Sequence, residues 1–209
     1  MREIWFAVLV ALTLAGVHPA AAQAPNPVVD ASALVVTGQD RVLGKSDAPI
    51  TIVEYASLSC PHCAHFATEV LPKLKEKWID TGKARLVLRD FPLDEPALRA
   101  GMVARCAPPE RYYPLVDTLF EMQDKWVVAR DSRAALERIV RLAGIGKKEL
   151  DACLANKAIE DQVAQSRLTA AQRLGVASTP TFFVNGKKYE GEPTVEAFDK
   201  LLSGLAEKS

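Results

Sequence analysis

The sequence predicts an α/β fold that is interrupted by an inserted helical subdomain, and three observations lead to this prediction. Residues 50–55 are β-branched and apolar, which is typical of a buried strand, and a helical pattern follows them closely. Residues 94–156 carry helical apolar spacing throughout. A further apolar strand, an Asn-Gly hairpin signal and a final helix complete the chain.

The composition fits one globular domain with an insertion. Of the 209 residues, 49% are hydrophobic and 25% are charged, a balance that can fill an apolar core. The formal net charge is zero, so there is no basic stripe of the kind that binds nucleic acid. We therefore expect no nucleic-acid partner and no partner chosen by bulk charge.

The first half of the chain predicts strand, helix and strand. A helix is predicted over residues 61–79, because apolar side chains recur there every four residues, and Pro72 inside it is expected to kink it. Residues 85–89 read RLVLR and predict the second strand. The apolar stripe of the helix consists of Phe66, Val70, Leu74 and Trp78.

The last third of the chain predicts a helix followed by a hairpin. A long helix is expected over residues 158–174, ending at Gly175. Residues 181–184 are an apolar strand, and Asn185-Gly186 after them is a strong hairpin signal with a partner strand over residues 187–189. These elements are expected to pack with the first strands and leave the helical block as an insertion.

Residues 1–22 have the features of a cleaved secretory signal peptide. Arg2 precedes an apolar run over residues 4–17, and three alanines ending at Ala22 offer a cleavage site before Gln23. The run is short for a membrane span, so an uncleaved anchor is the weaker alternative. We therefore expect the mature chain in the periplasm.

Residues 23–38 are rich in Ala, Pro and Val and carry few charges. They predict an extended N-terminal segment. The segment is too short to form a dimerisation domain, so a monomer is expected.

Export changes how the four cysteines are interpreted, because disulfides persist in an oxidising compartment. Four cysteines allow three pairings. Their spacing favours Cys60 with Cys63, and Cys106 with Cys153.

Cys60 is the candidate reactive thiol. It follows a predicted strand and precedes a helix, so its sulfur is expected at a helix N-terminus, where free N–H groups favour a thiolate. Pro61 suits the first helical turn because no hydrogen bond is lost there. Cys63 lies one turn on, within bonding reach, and His62 between them is expected to stabilise the thiolate further.

Two other interpretations of this pattern are weaker. A zinc site needs four ligands, and Cys60, Cys63 and His65 supply only three, while His65 fits a plain helix surface. A purely structural disulfide over so small a loop would remove little chain entropy. We therefore expect no metal and no cofactor.

Three segments together resemble the DsbA family of thiol:disulfide oxidoreductases. They are residues 54–63 (EYASLSCPHC), residues 90–93 (DFPL) and residues 178–186 (STPTFFVNG). The resemblance covers nearly all of the mature chain. It implies a thioredoxin-like fold with a helical insertion and the oxidation of exported proteins.

The resemblance also implies a division of the chain. Residues 39–93 and 157–209 would form the thioredoxin-like domain, and residues 94–156 the helical insertion.

Further site residues follow from the same resemblance. Pro180 matches the family's cis-proline, which binds client backbone beside the cysteines, and Thr179 would place a hydroxyl near Cys60. Glu54 matches a buried acid, for which we hypothesise proton relay to or from Cys63. The alternative for Glu54 is a core carboxylate with solvent access.

Cys106 and Cys153 lie on the apolar faces of separate predicted helices in the insertion. A structural disulfide is expected between them, and two buried free thiols are the alternative.

The expected activity is donation of the Cys60–Cys63 disulfide to cysteine-containing exported clients, with reoxidation by a DsbB-like membrane quinone reductase. One alternative is a reductase or isomerase kept reduced by a DsbD-like partner, because Thr179 leaves the redox strength open. A periplasmic copper or zinc chaperone that uses the two thiolates is the non-enzymatic alternative.

Overall fold

The computed structural model of the chain describes residues 30–208. The predicted signal peptide over residues 1–22 lies outside this range. Within the range, no helix has the length and apolarity that crossing a bilayer requires.

A five-stranded mixed sheet forms the centre of the molecule, in the order β1-β3-β2-β4-β5. β2 and β3 run parallel, and every other pair is antiparallel. β2 is buried along almost its whole length because it lies between β3 and β4 and helices cover both faces. The strands are β1 (Val42–Leu43), β2 (Ile50–Ala56), β3 (Ala84–Asp90), β4 (Thr181–Val184) and β5 (Lys187–Lys188).

The helix after β2 is continuous but not uniformly α-helical. It begins as α1 (Pro61–His65), widens to a π-helical turn (Phe66–Val70) and continues as α2 (Leu71–Leu74) and a second π-helical turn (Lys75–Ile79). The sequence predicts a kink at Pro72, and the structure has a π-helical turn just before it. This turn accommodates Pro72, which has no N–H to donate.

Helices make up the rest of the structure, and five of those described lie between β3 and the long helix before β4, as the predicted insertion requires. The long helix ends at Gly175, which adopts a left-handed conformation with φ of 65°. The helices are α3 (Glu95–Cys106), α4 (Pro109–Glu121), α5 (Gln123–Trp126), α6 (Ser132–Leu142), α7 (Lys147–Leu154), α8 (Lys157–Leu174) and α9 (Val195–Ala206).

Each face of the sheet has its own apolar core. Ile52 and its neighbours on one face pack against α1, α2, α9 and the insertion, and the Phe66 ring contacts those of Phe182 and Phe198. Val53 and Tyr55 on the other face pack against Leu34 and α8. Side chains of β2 alternate between the two cores, as the period of a strand requires. The predicted α/β fold with a helical insertion is confirmed.

Two local features differ from the predicted elements. Residues 31–34 belong to the segment predicted as extended but form a 3-10 turn (Ala31–Leu34), because the Asp30 carboxylate accepts the Ser32 N–H and caps it. Burial of Leu34 against α8 holds the turn in place. β1 is absent from the predicted order, since a two-residue strand leaves no periodicity to detect.

A buried ion pair ties the insertion to the sheet. Arg105 of α3 donates to the Asp90 carboxylate at the end of β3, with an Nε–Oδ2 distance of 2.7 Å. The Tyr113 hydroxyl of α4 accepts the Leu88 N–H and lies 3.0 Å from the Leu86 carbonyl. The insertion is therefore anchored to β3, close to the carboxyl end of that strand.

Candidate active site

Cys60 lies at the N-terminus of α1, at the carboxyl end of β2. Its backbone is extended, with φ of −81° and ψ of 121°, so it is the N-cap residue, and Pro61 occupies the first helical position. The Cys60 N–H donates to the Ser57 carbonyl over 3.0 Å, which closes the turn between strand and helix. The local sequence thus turns the Cys60 side chain toward the free N–H groups of the helix.

The surroundings of Cys60 favour its thiolate. They lower the pKa of Cys60 to about 5, first through the hydrogen bond with the Cys63 thiol, then through contacts from Thr179 and the backbone N–H groups of Cys63 and His62, while burial opposes the shift. His62 therefore acts here through its backbone N–H, and its side chain is exposed. The predicted role of the His62 imidazole stays a prediction.

Cys63 has the opposite character. Its side chain is fully buried, and burial raises the pKa of the Cys63 thiol far above its usual range. The hydrogen bond to Cys60 and the nearby Glu54 carboxyl raise it further. The two thiols therefore differ in reactivity, because Cys60 ionises readily and Cys63 keeps its proton.

The peptide bond between Thr179 and Pro180 is cis and lies next to Cys60. The Cys60 thiol donates to the Thr179 carbonyl, with a sulfur–oxygen distance of 3.3 Å. Among the described residues, the buried Thr179 hydroxyl has no hydrogen-bond partner. The Thr179 side chain also lowers the pKa of Cys60, and the predicted role of its hydroxyl stays a prediction. A pocket of about 180 Å³ next to Pro180 is lined by Ser178 and Tyr189.

Glu54 lies in the middle of β2, between Leu88 of β3 and Phe182 of β4. Its side chain is 3% exposed, and Oε1 has no hydrogen-bond partner in the described part of the chain. Burial, and then the charge on Cys60, raise the pKa of Glu54 to about 8. Glu54 is therefore protonated at neutral pH and can give a proton to a neighbouring thiolate.

Cys106 and Cys153 form a disulfide between the end of α3 and the end of α7, with Cα atoms 5.9 Å apart. Both cysteines belong to helices of the insertion. Tyr112, Tyr113 and Trp126 are buried in the apolar core that the insertion shares with one face of the sheet.

A cavity of about 770 Å³ lies between the N-terminal segment and α8, and neither active cysteine lines it. Its basic groups are already used. Arg89 donates to the Asp40 carboxylate, the Tyr55 hydroxyl and two backbone carbonyls. Residues 30–208 also contain no group of three or more His, Cys, Asp or Glu side chains placed to hold a metal ion.

One contact at the site has no counterpart in the sequence patterns. Gln123, at the start of α5, donates from its side-chain nitrogen to the carbonyls of Leu58 and Cys60. Because 63 residues separate it from Cys60, neither spacing nor periodicity could reveal it.

Comparisons with known proteins agree with this geometry. The family model described as thioredoxin matches residues 36–203. A Rickettsia conorii relative named protein-disulfide oxidoreductase is 34% identical over 197 residues, which are 91% of this chain and 71% of that protein. A Rickettsia bellii relative of the same name is 35% identical over 167 residues, which are 78% of this chain and 64% of that protein.

Solved structures give the same result. The crystal structure of Wolbachia pipientis α-DsbA1 is 33% identical, with a TM-score of 0.80, and the match covers 85% of this chain and 96% of that one. The BdbD structure from Bacillus subtilis, at 22% identity and a TM-score of 0.72, shares the fold. With its thioredoxin-like fold, helical insertion and paired thiols of opposite acidity, this chain belongs to the DsbA family of thiol:disulfide oxidoreductases.

Proposed function

We propose that the chain is exported and oxidises secreted proteins by donating the Cys60–Cys63 disulfide to them. The observation that carries this proposal is the acidity of Cys60, whose pKa is lowered to about 5 at the start of α1. A stable thiolate favours the dithiol over the disulfide, so the disulfide is passed on readily.

The size of this effect can be bounded. A pKa two units below pH 7 stabilises the reduced form by at most about 3 kcal/mol. Solvent screening at the mouth of the site makes the actual value smaller. For a two-electron couple the upper bound corresponds to about 60 mV toward oxidising power. This moves the couple away from reducing thioredoxins.

The first step of the proposed reaction is attack by a client thiolate on the Cys60 sulfur. The Cys60–Cys63 bond breaks, a client–Cys60 mixed disulfide forms, and Cys63 leaves with the electron pair. A sulfur with the raised pKa of Cys63 takes up a proton at once. Glu54, protonated at neutral pH, is the proposed donor.

A second client thiolate then attacks the client sulfur of the mixed disulfide. The client gains a disulfide and loses two electrons, and Cys60 leaves as a thiolate. A leaving group of low pKa departs faster, so the acidity of Cys60 promotes release of the oxidised client. Pro180 and Thr179 are proposed to hold the client backbone beside Cys60 during both steps.

The proposed cycle is completed outside the chain. Reoxidation of the dithiol is assigned to a DsbB-like membrane quinone reductase, on the basis of family resemblance. The working form is proposed to be a monomer.

Transfer to a client is tested with a reduced, unfolded protein that contains two cysteines. The oxidised chain should form one client disulfide per molecule and should itself become reduced. Cys63→Ser, which has no disulfide to donate, is the matched control and should form none. A chain that reduces insulin with a thiol reductant but transfers no disulfide would be a reductase instead.

Export is tested by mass spectrometry of the chain produced in a bacterium with a periplasm. The periplasmic fraction should contain a chain that begins at Gln23. Full-length chain confined to the cytoplasm would overturn this part of the proposal and leave the exchange chemistry intact.

A further inference from the structure

The inserted helices reach the active-site turn through one side chain. The Gln123 side-chain nitrogen is 2.9 Å from the Leu58 carbonyl oxygen and 3.1 Å from the Cys60 carbonyl oxygen. A side-chain amide has two N–H groups, so both donors of Gln123 are used on this turn.

The backbone of Gln123 is itself held firmly. Gln123 begins α5 immediately after Met122, where α4 ends. Trp126 in the same turn is fully buried, and its Nε1 donates to the Leu119 carbonyl over 2.9 Å. The Lys125 N–H donates to the Met122 carbonyl. A short helix fixed in this way points the Gln123 amide in one direction.

The two carbonyls that accept from Gln123 enclose the turn between β2 and α1. The Leu58 side chain is buried, and the Cys60 carbonyl also accepts the Ala64 N–H of the first helical turn over 3.1 Å. The Cys60 N–H is held by the Ser57 carbonyl, so holding the Cys60 carbonyl as well restrains both backbone dihedrals of Cys60 and the direction of its Cα–Cβ bond. Where the sulfur lies relative to the free N–H groups of α1 therefore depends on this carbonyl.

We propose that Gln123 is a positioning residue for thiol–disulfide exchange, whose amide holds the Leu58 and Cys60 carbonyls so that the Cys60 sulfur stays against the N-terminus of α1. Two N–H donors also offset the partial negative charge of the carbonyl oxygens, which would otherwise oppose a thiolate nearby. The proposal concerns exchange chemistry in either direction, so it does not depend on whether clients are oxidised or reduced.

The test compares two variants with a matched control. Gln123→Met keeps the length of the side chain and removes both donors. Gln123→Glu keeps its shape and presents acceptors to two carbonyls. Gln172→Met changes an exposed glutamine on α8 in the same way, away from the site. The Cys60 pKa is read in the reduced protein from thiolate ultraviolet absorbance against pH and, independently, from the alkylation rate.

The expected result is a rise of about one unit in the Cys60 pKa for Gln123→Met, which is about a tenfold smaller thiolate fraction at pH values below the pKa. Gln123→Glu should show a rise at least as large, and Gln172→Met none. A folded Gln123→Met with an unchanged pKa would overturn the proposal, even if its melting temperature falls. If Gln123→Met does not fold, Gln123→Leu, which also removes both donors and adds no charge, decides on the same criterion.

Discussion

Glu54→Gln is the substitution that most sharply tests the electrostatics of the site. In the folded chain burial raises the pKa of Glu54 to about 8, and Oε1 has no hydrogen-bond partner among the described residues. In the unfolded chain the carboxyl is exposed and ionises near its ordinary value of 4.5. Between these two pH values the unfolded state therefore binds fewer protons than the folded state at this position.

The sign of the pH dependence follows from this difference. A raised folded pKa contributes stability that is complete below pH 4.5 and is lost as the pH rises toward about 8. One proton corresponds to about 1.4 kcal/mol of unfolding free energy per pH unit. From pH 5 to pH 7 the wild-type chain should lose about 3 kcal/mol at Glu54, and Glu54→Gln should lose none of it.

Cys60 imposes a pH dependence of the opposite sign when it is reduced. Its pKa is lowered from 9.0 to about 5, so it contributes stability above pH 9 that is lost as the pH falls toward 5. In the reduced wild-type chain the contributions of Glu54 and Cys60 should nearly cancel between pH 5 and pH 8. The oxidised chain removes this complication, because disulfide sulfurs do not titrate. The charge on Cys60 is absent there, and burial, the larger cause, still raises the pKa of Glu54.

The assay is urea unfolding of the oxidised chain at several pH values between 5 and 7, without reductant. The difference in unfolding free energy between Glu54→Gln and wild type should grow with pH, by up to about 1.4 kcal/mol per pH unit. Glu110→Gln, at an exposed position, should show a constant difference. A constant difference for Glu54→Gln would refute the argument that a buried, protonated carboxyl lies in β2.

The same variant tests the proton relay. If Glu54 supplies or accepts the proton of Cys63, Glu54→Gln should change the pH profile of thiol exchange as well as its rate. An unchanged profile would leave Glu54 as a core carboxyl only.

Two further predictions concern the other sulfur atoms. In the reduced chain, iodoacetamide should alkylate Cys60 at a rate that rises to half its maximum near pH 5, whereas Cys63 should stay unmodified up to pH 8. Equal labelling of the two cysteines would contradict their opposite pKa shifts. Replacing Cys106 and Cys153 together with alanine should lower the unfolding free energy by about 4 kcal/mol, since the disulfide closes a long loop in the insertion, and should leave the Cys60 pKa unchanged. Undiminished stability in urea would contradict this structural role.

Local chemistry explains why so much of the site could be predicted from the sequence. The position of Cys60 could be predicted because a strand, a cysteine and a proline follow one another closely. This local order places the cysteine at a helix N-terminus. Glu54 and Pro180 needed the family resemblance, because strand pairing brings them to the site from outside the Cys-Pro-His-Cys segment.

Long-range contacts explain what could not be predicted. Gln123 reaches Cys60 only through the packing of α5 against the active-site turn, and nothing around it in the sequence marks it. The ion pair between Arg105 and Asp90 could not be predicted either, because it depends on the packing of α3 on β3. In the sequence, Arg105 is one of many charged residues in helical segments. The 3-10 turn at Ala31–Leu34 likewise depends on burial of Leu34 against α8.

The equilibrium redox potential of the Cys60–Cys63 pair in glutathione buffers tests the central claim most directly. Thioredoxin, whose reactive thiol has a pKa near 7, has a potential of about −270 mV. A Cys60 pKa about two units lower moves the expected value by up to about 60 mV, to between about −270 mV and about −210 mV. A measured potential at or below about −270 mV would contradict an oxidase.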